Sequence, residues 1–426
     1  MTLAIFAGSL LGLMALGIPV AFSLIGCGLA LMFYLGLTDP PIVVLNMWDG
    51  ANSYPLLAIP FFMLAGEFMN AGGLTRRIIA MSSAWIGHIR GGLGYVTVFA
   101  AVIMASLSGS ALADTASLAA VLFPMMRDAG YNRSRSVGLI ASGGVIAPVI
   151  PPSMGMIIFG VSGGVSITKL FLAGIVPGVL MGLGIMVAWR WCIKSDLMEA
   201  EPKASYETRF KATRDAFWAL VMPVVVIGGL KAGFFTPTEA AVIAAIYCLF
   251  VGMFIYREIP AKKIYPLVIS AGETTAVVMF MAAAAAVSAW LITAANIPQD
   301  VAHILQPLIP HPRLLTFVLI ALGMVIGMGL DMTPTILIMT PVLMPIVRMA
   351  GIDPIYFAVL FIMNCSIGLV TPPVGTVLNV VCNVTRVPMS DAIKGVLPFM
   401  IAEYGVLLLL VIFPQIVLVP LNWMAP

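Results

Sequence analysis

The chain has 426 residues, of which 61% are hydrophobic and 9% charged, with a formal net charge of +3 and a mean hydropathy of +1.10. Soluble domains carry about 45–50% apolar and about 25% charged residues, so this composition excludes an ordinary water-soluble globule. It marks an all-α integral membrane protein, in which the side a charge sits on matters more than the sum of charges.

In chain order, residues 1–38 carry no charge, and no basic leader precedes a small-residue cleavage site. The first segments are therefore expected to be membrane helices, with the mature chain beginning near Met1. Uncharged runs recur at 50–66, 91–113, 136–168, 170–189, 216–230, 240–256, 274–299, 314–330, 332–347, 354–385 and 404–426. A spanning helix needs about 20 apolar residues, so the protein is polytopic throughout. Residues 194–215, in which ten of 22 are charged, read as a soluble connector between two halves. Cys27, Cys192, Cys248, Cys365 and Cys382 lack CxxC spacing and read as packing residues.

The halves repeat. Pro124-Met-Met-Arg-Asp-Ala-Gly130 and Pro345-Ile-Val-Arg-Met-Ala-Gly351 match at an offset of 221, as do Pro151-Pro152 and Pro372-Pro373. Between 121–152 and 342–373, 11 of 32 positions are identical without a gap. If 91–126 and 314–347 are re-entrant hairpins, 17 of the 21 Lys and Arg residues fall on one side, which is assigned to the cytoplasm. The exceptions are Lys169, Lys231, Arg313 and Arg348. Two inverted repeats follow, each with a hairpin and a broken helix.

The hairpin tips are polar: Ser106-Leu-Ser-Gly-Ser-Ala-Leu-Ala-Asp-Thr-Ala-Ser117 and Gly327-Met-Gly-Leu-Asp-Met-Thr-Pro-Thr335. Irregular backbone at membrane depth is tolerated only when buried in protein or lining a cavity. Each tip is matched by a Pro-Pro break, Ala147–Gly155 and Gly368–Thr376. Proline donates no backbone hydrogen bond, so carbonyls on the preceding turn are released. One such Pro is often only a kink, and Ser and Gly often only pack closely. Four breakers in two repeats at one offset point to function. A small hard cation takes oxygen ligands. The first candidate set is Ser106, Ser108 and Ser110 with Gly143, Gly144 and Pro148, and the second is Gly329, Asp331 and Thr333 with Gly368 and Thr371. Asp114 and Asp331 at membrane depth mark a pathway or site, with helix capping as a compatible role. His88, His303 and His311 read as interfacial. Glu67 and Glu273 read as functional or as contacts to a partner subunit. No nucleotide loop, metal quartet or nucleophile–base arrangement is present, so an enzyme and a nucleic-acid binder are both disfavoured.

These motifs, "SGSALADTASLAAVLFPMMRDAGY", "GVIAPVIPPSMGMIIFG", "GMGLDMTPTILIMTPVLMPI" and "GLVTPPVGTVLNV", resemble those of the large membrane subunit of a TRAP (tripartite ATP-independent periplasmic) transporter, over essentially the whole chain. The resemblance implies an elevator-type transporter of the bacterial inner membrane driven by sodium, so the candidate cation is Na+. Its substrate is an organic acid such as sialic acid, favoured here, or a C4-dicarboxylate. It further implies a periplasmic binding protein and a small four-helix membrane subunit, expected as a separate chain. In that scheme 1–90 and 216–313 are scaffold, 91–168 and 314–385 form the transport domain, 169–193 is a scaffold or connecting helix, 194–215 is a cytoplasmic linker and 386–426 is the C-terminal helix. No Arg lies at a tip or a break, so the acid would rest on helix N-termini near Asp114, Thr115, Pro152, Ser153 and Thr376. A passive channel or scaffold subunit is the competing reading.

Overall fold

A computed structural model describes residues 1–37, 39–193 and 203–424, and the described residues form helices and turns without a strand. The helices are α1 (Thr2–Ala15), α2 (Val20–Tyr34), α3 (Pro41–Ala51), α4 (Ala58–Ala71), α5 (Leu74–Ile86), α6 (Gly92–Ser108), α7 (Ala111–Asp128), α8 (Arg133–Gly144), α9 (Met154–Gly163) and α10 (Ile167–Cys192) in the first half. The second half contains α11 (Tyr206–Lys231), α12 (Pro237–Phe250), α13 (Ala261–Ala294), α14 (Ile297–Leu305), α15 (Pro312–Gly327), α16 (Met332–Met349), α17 (Pro354–Gly368), α18 (Thr376–Thr385), α19 (Met389–Ile412) and α20 (Gln415–Met424). Among the described residues, seven helical segments are long and apolar enough to cross a membrane. Their starts follow local chemistry: Thr236 and Glu239 form a capping box ahead of Pro237, and Asp353 caps a helix that opens on Pro354.

The repeat read from sequence is present in three dimensions. Helices α7 and α16 are each 18 residues and start 221 positions apart, and α9 and α18 are each ten residues. Packing is reciprocal: α7 lies against α18, and α16 lies against α9. The Ser366 hydroxyl donates to the Val145 carbonyl at 2.5 Å, across a separation of 221 residues. Equivalent positions of two repeats can touch each other only near the axis that relates them, so the two breaks meet at the pseudo-two-fold. Both predicted hairpins are formed, α6 turning into α7 at Gly109-Ser110 and α15 into α16 across 328–331.

Helices α1–α5 and α11–α13 make one body, in which α13 packs on α2, α3 and α4, α12 on α4, and α5 on α11. Arg76 and Arg77 both pair with Glu258, at 2.7 and 2.6 Å, and Arg77 lies over the Tyr256 ring, tying α5 to the end of α12. One bound is refined by the helix starts. The connector expected over 194–215 extends no further than Ser205 at its C-terminal side, because Ser205 caps α11 and 206–215 are its first turns. Charges of alternating sign mark a solvated segment, whether loop or helix. Residues 194–202 of that stretch lie outside the described residues. The helix over 169–193, expected as a scaffold or connecting helix, is α10, which packs along α6, α9, α17, α19 and α20 and touches α11, while α19 packs along α8 and α17. Small residues allow this approach, since a Cβ on Gly138 would stand 2.2 Å from the Gly395 backbone.

Candidate ion and substrate site

Each hairpin tip rests directly on the break of its own half. Gly109 adopts φ +62°, and a Cβ there would stand 2.2 Å from the Pro152 carbonyl oxygen and 3.2 Å from Ser153 Cα. Only glycine meets both demands, the left-handed backbone and the absence of a side chain. In the second half a Cβ on Gly368 would stand 2.9 Å from the Gly327 carbonyl oxygen.

Around the first junction the candidate residues form one buried cluster. Ser108 donates to Asp114 Oδ1, and Ser110 caps α7 by accepting from the Ala113 N–H at 3.4 Å. Capping here therefore falls to Ser110 and not to Asp114. Ser106 donates to the Ile103 carbonyl at 2.6 Å, inside its own helix. Ser153 caps α9, accepting from Met156 N–H at 3.2 Å and donating to the Pro148 carbonyl at 2.5 Å. Thr115 sits against Gly144, whose Cβ would overlap its hydroxyl, and Gly143 packs on Ala101. The Gly143 and Gly144 carbonyls accept turn hydrogen bonds at 3.3 and 3.2 Å, leaving a second lone pair on each. Asp114 Oδ2 and Thr115 Oγ1 are buried without a hydrogen-bond partner. Such orphans are rare in folded proteins, which makes these two oxygens the strongest candidates for binding a cation. Asp114 and Thr115, separated above as substrate contacts, thus fall in one buried cluster with the candidate ion ligands.

The second cluster is more open. Thr376 donates to Asp331 Oδ1 at 3.2 Å, joining the tip to the start of α18. Asp331 occupies the N-cap position of α16 but makes no side-chain capping bond. Thr371 donates to the Ile367 carbonyl at 2.9 Å and lies 3.4 Å from the Tyr404 hydroxyl, while the Gly368 carbonyl accepts from Thr371 N–H at 3.0 Å. Gly329, Pro373 and Val374 are exposed and Asp331 and Thr333 half-buried, whereas Pro152 and every first-cluster ligand except Ser110 are buried.

The two halves also meet at the site. A Cβ on Gly155 would stand 3.0 Å from Met332 Cε, so the starts of α9 and α16 touch. The N-termini of α7, α9, α16 and α18 converge on this region, and unsatisfied N–H groups at helix starts carry partial positive charge that suits an anion.

Sequence reasoning missed Glu403. It is fully buried on α19 with both carboxylate oxygens unpartnered, and Ser142 on α8 lies beside it without closing a hydrogen bond. The signal was available, since Glu403 is the only charged residue between 395 and 426. Glu67 is paired inside the chain, accepting from Ser270 at 3.0 Å, and Glu273 is exposed on α13.

The family model described as "Tripartite ATP-independent periplasmic transporter, DctM component" matches residues 7–416. The chain belongs to that DctM family of TRAP large permeases. It is 52% identical over 423 residues to the 2,3-diketo-L-gulonate TRAP transporter large permease protein YiaN of Escherichia coli K12, covering 99% of this chain and 100% of the relative. It is 37% identical over 408 residues to the sialic acid TRAP transporter large permease protein SiaM of Vibrio cholerae, covering 96% of each. Among solved structures, the YdaH transporter of Alcanivorax borkumensis shares the fold, with a TM-score of 0.63 at 16% identity over 93% of this chain and 90% of the other. As a TRAP large permease, the chain is a multi-pass inner-membrane protein and a transport component, not an enzyme.

Proposed function

We propose that this TRAP permease imports a sugar acid by sodium-coupled elevator transport, together with a small membrane subunit and a periplasmic binding protein. The observation that carries the reading is the pair of tip-on-break junctions, the first enclosing Asp114 Oδ2 and Thr115 Oγ1 without partners. Sodium, as cargo, would take the Ser108, Asp114 and Thr115 side-chain oxygens with carbonyls of Gly143, Gly144 and Pro148, and a second ion would take the Gly329–Thr333 tip with Gly368 and Thr371. The donor set fits, being composed of oxygens alone. An acid needs no arginine where four helix starts converge, because their N–H groups supply the positive end. Neutralising Asp114 and Asp331 with cations removes their repulsion of the incoming carboxylate, which makes sodium and acid bind together.

Sliding is supported by the face that the scaffold offers α16 and α9. A cavity of about 200 Å³ lies there, lined by Ala282, Ala285, Ala286 and Ala289 of α13, with Gly50 nearby. The space between this alanine face and α9 and α16 is not filled by side chains, which leaves the two surfaces free to shift past each other. The preference for sialic acid passes to a six-carbon sugar acid of the diketogulonate type, because identity to that relative is 52% against 37%.

The test is uptake into proteoliposomes containing both membrane subunits, with the binding protein outside. Diketogulonate should accumulate above its external concentration under an inward sodium gradient, and sialic acid should not. Equilibration without accumulation would establish a passive channel instead.

A further inference from the structure

A polar cavity lies away from the candidate transport site, on the face that the charge count assigns to the cytoplasm. It encloses about 280 Å³ where four chain ends meet: the end of α7, the starts of α8 and α19, and the end of α18. Arg127, Arg133 and Arg386 line it, with Ser134 and the single acid Asp391. Arg127 pairs with its exposed neighbour Asp128 at 2.9 Å. Arg133 and Arg386 make no ion pair among the described residues. The lining therefore carries three guanidiniums against one carboxylate.

The pseudo-symmetric corner of the other half is an internal control. There Arg348, the repeat mate of Arg127, donates to the Gly163 carbonyl at 2.9 Å and so closes the end of α9. The mate of Arg133 is Pro354, and the left-handed C-cap residue is Gly164 at φ +62°. The fold thus closes this corner with one arginine, one proline and one glycine. At the cavity, by contrast, Arg386 takes the left-handed C-cap of α18 at φ +59°, a conformation that costs a non-glycine residue about 1–2 kcal/mol. Glycine would meet the backbone demand without that cost; the residue present instead adds a guanidinium to the cavity lining.

We propose that this corner binds a phosphate oxyanion, the headgroup of an anionic phospholipid at the cytoplasmic leaflet. Arginine forks match phosphate oxygens bidentately and the volume admits a phosphate with its ester substituents; the dipoles of the two helix starts are offset by those of the two helix ends, so the guanidiniums carry the charge complementarity. Basic pockets between spanning helices on the cytoplasmic side are suited to such headgroups. A bound headgroup would bridge the end of α7, the starts of α8 and α19 and the end of α18. Inorganic phosphate shares the chemistry, and the experiment separates the two sources.

Thermal unfolding of the purified full chain in detergent is titrated with short-chain phosphatidylglycerol, with phosphatidylcholine and, separately, with inorganic phosphate. Phosphatidylglycerol should protect the wild type and phosphatidylcholine should not. Arg386→Gly should weaken the apparent affinity about fivefold, and Arg133→Gln with Arg386→Gly by more than tenfold. Without lipid, Arg386→Gly should melt no lower than wild type, since it relieves the left-handed strain. If that variant fails to fold, Arg133→Gln alone, at an exposed helix start, carries the same fivefold expectation. Lys262→Gln on the scaffold should leave the affinity unchanged. Arginine-dependent protection by inorganic phosphate alone would keep the anion site and replace the lipid by free phosphate. Equal protection of wild type and both arginine variants, or an equal loss with Lys262→Gln, overturns the proposal.

Discussion

Gly109→Ala is the sharpest perturbation of the tip-on-break junction. The added methyl would stand 2.2 Å from the Pro152 carbonyl oxygen, 3.1 Å from its carbon and 3.2 Å from Ser153 Cα, all backbone atoms that cannot rotate away. Two costs are combined: the left-handed backbone at φ +62°, about 1–2 kcal/mol, and overpacking, about 1–3 kcal/mol. Gly130 separates them, because it has φ +79° with nothing within 4 Å of its would-be Cβ. Gly130→Ala therefore meets only the backbone cost. The overpacking difference acts on the closed junction, so Gly109→Ala should raise the sodium concentration for half-maximal uptake by about five- to a hundredfold over Gly130→Ala. The assay is sodium-dependent uptake in proteoliposomes, with thermal unfolding of both variants as the folding control. Equal sodium dependence in the two variants would refute the idea that the tip must seat on the break to make the ion site.

Ser108→Ala removes the donor to Asp114 Oδ1 and leaves both carboxylate oxygens bare, so sodium half-saturation should rise at normal expression; Asp114→Asn, which keeps the oxygen but not the charge, should lose coupling more completely. Unchanged sodium dependence in both would return this stretch to mere packing. Glu403→Leu removes two unpartnered buried oxygens and should raise the melting temperature by a few degrees, whereas a marked fall would reveal a partner for that carboxylate. In a chain freed of its five cysteines, Ser205→Cys and Asn422→Cys should react with impermeant reagents from opposite sides. Labelling of both from outside would break the inverted arrangement of the halves.

Much of the fold was legible because its signals are local or periodic. Hydropathy gives the segments. The 221-residue offset gives the repeat, and adjacent prolines give the breaks, since each depends on residues close in sequence. The connector was overextended because residues 206–215 alternate in charge and look alike whether they are a loop or the solvated start of α11. Glu403 escaped notice because a single carboxylate at the edge of an uncharged run cannot be told from a boundary residue until α8 is seen packed against it.

By itself, then, the sequence determined a polytopic helical protein with two equivalent halves, four backbone interruptions and the oxygen-rich stretches at them, because composition, periodicity and proline chemistry act along the chain. Which interruption meets which was decided by tertiary packing. Gly109 on Pro152, Thr115 against Gly144, Ser366 on Val145 and Gly155 against Met332 join residues tens to hundreds of positions apart. Their pairing depends on helices approaching to backbone contact at glycines, a distance that no spacing along the chain specifies.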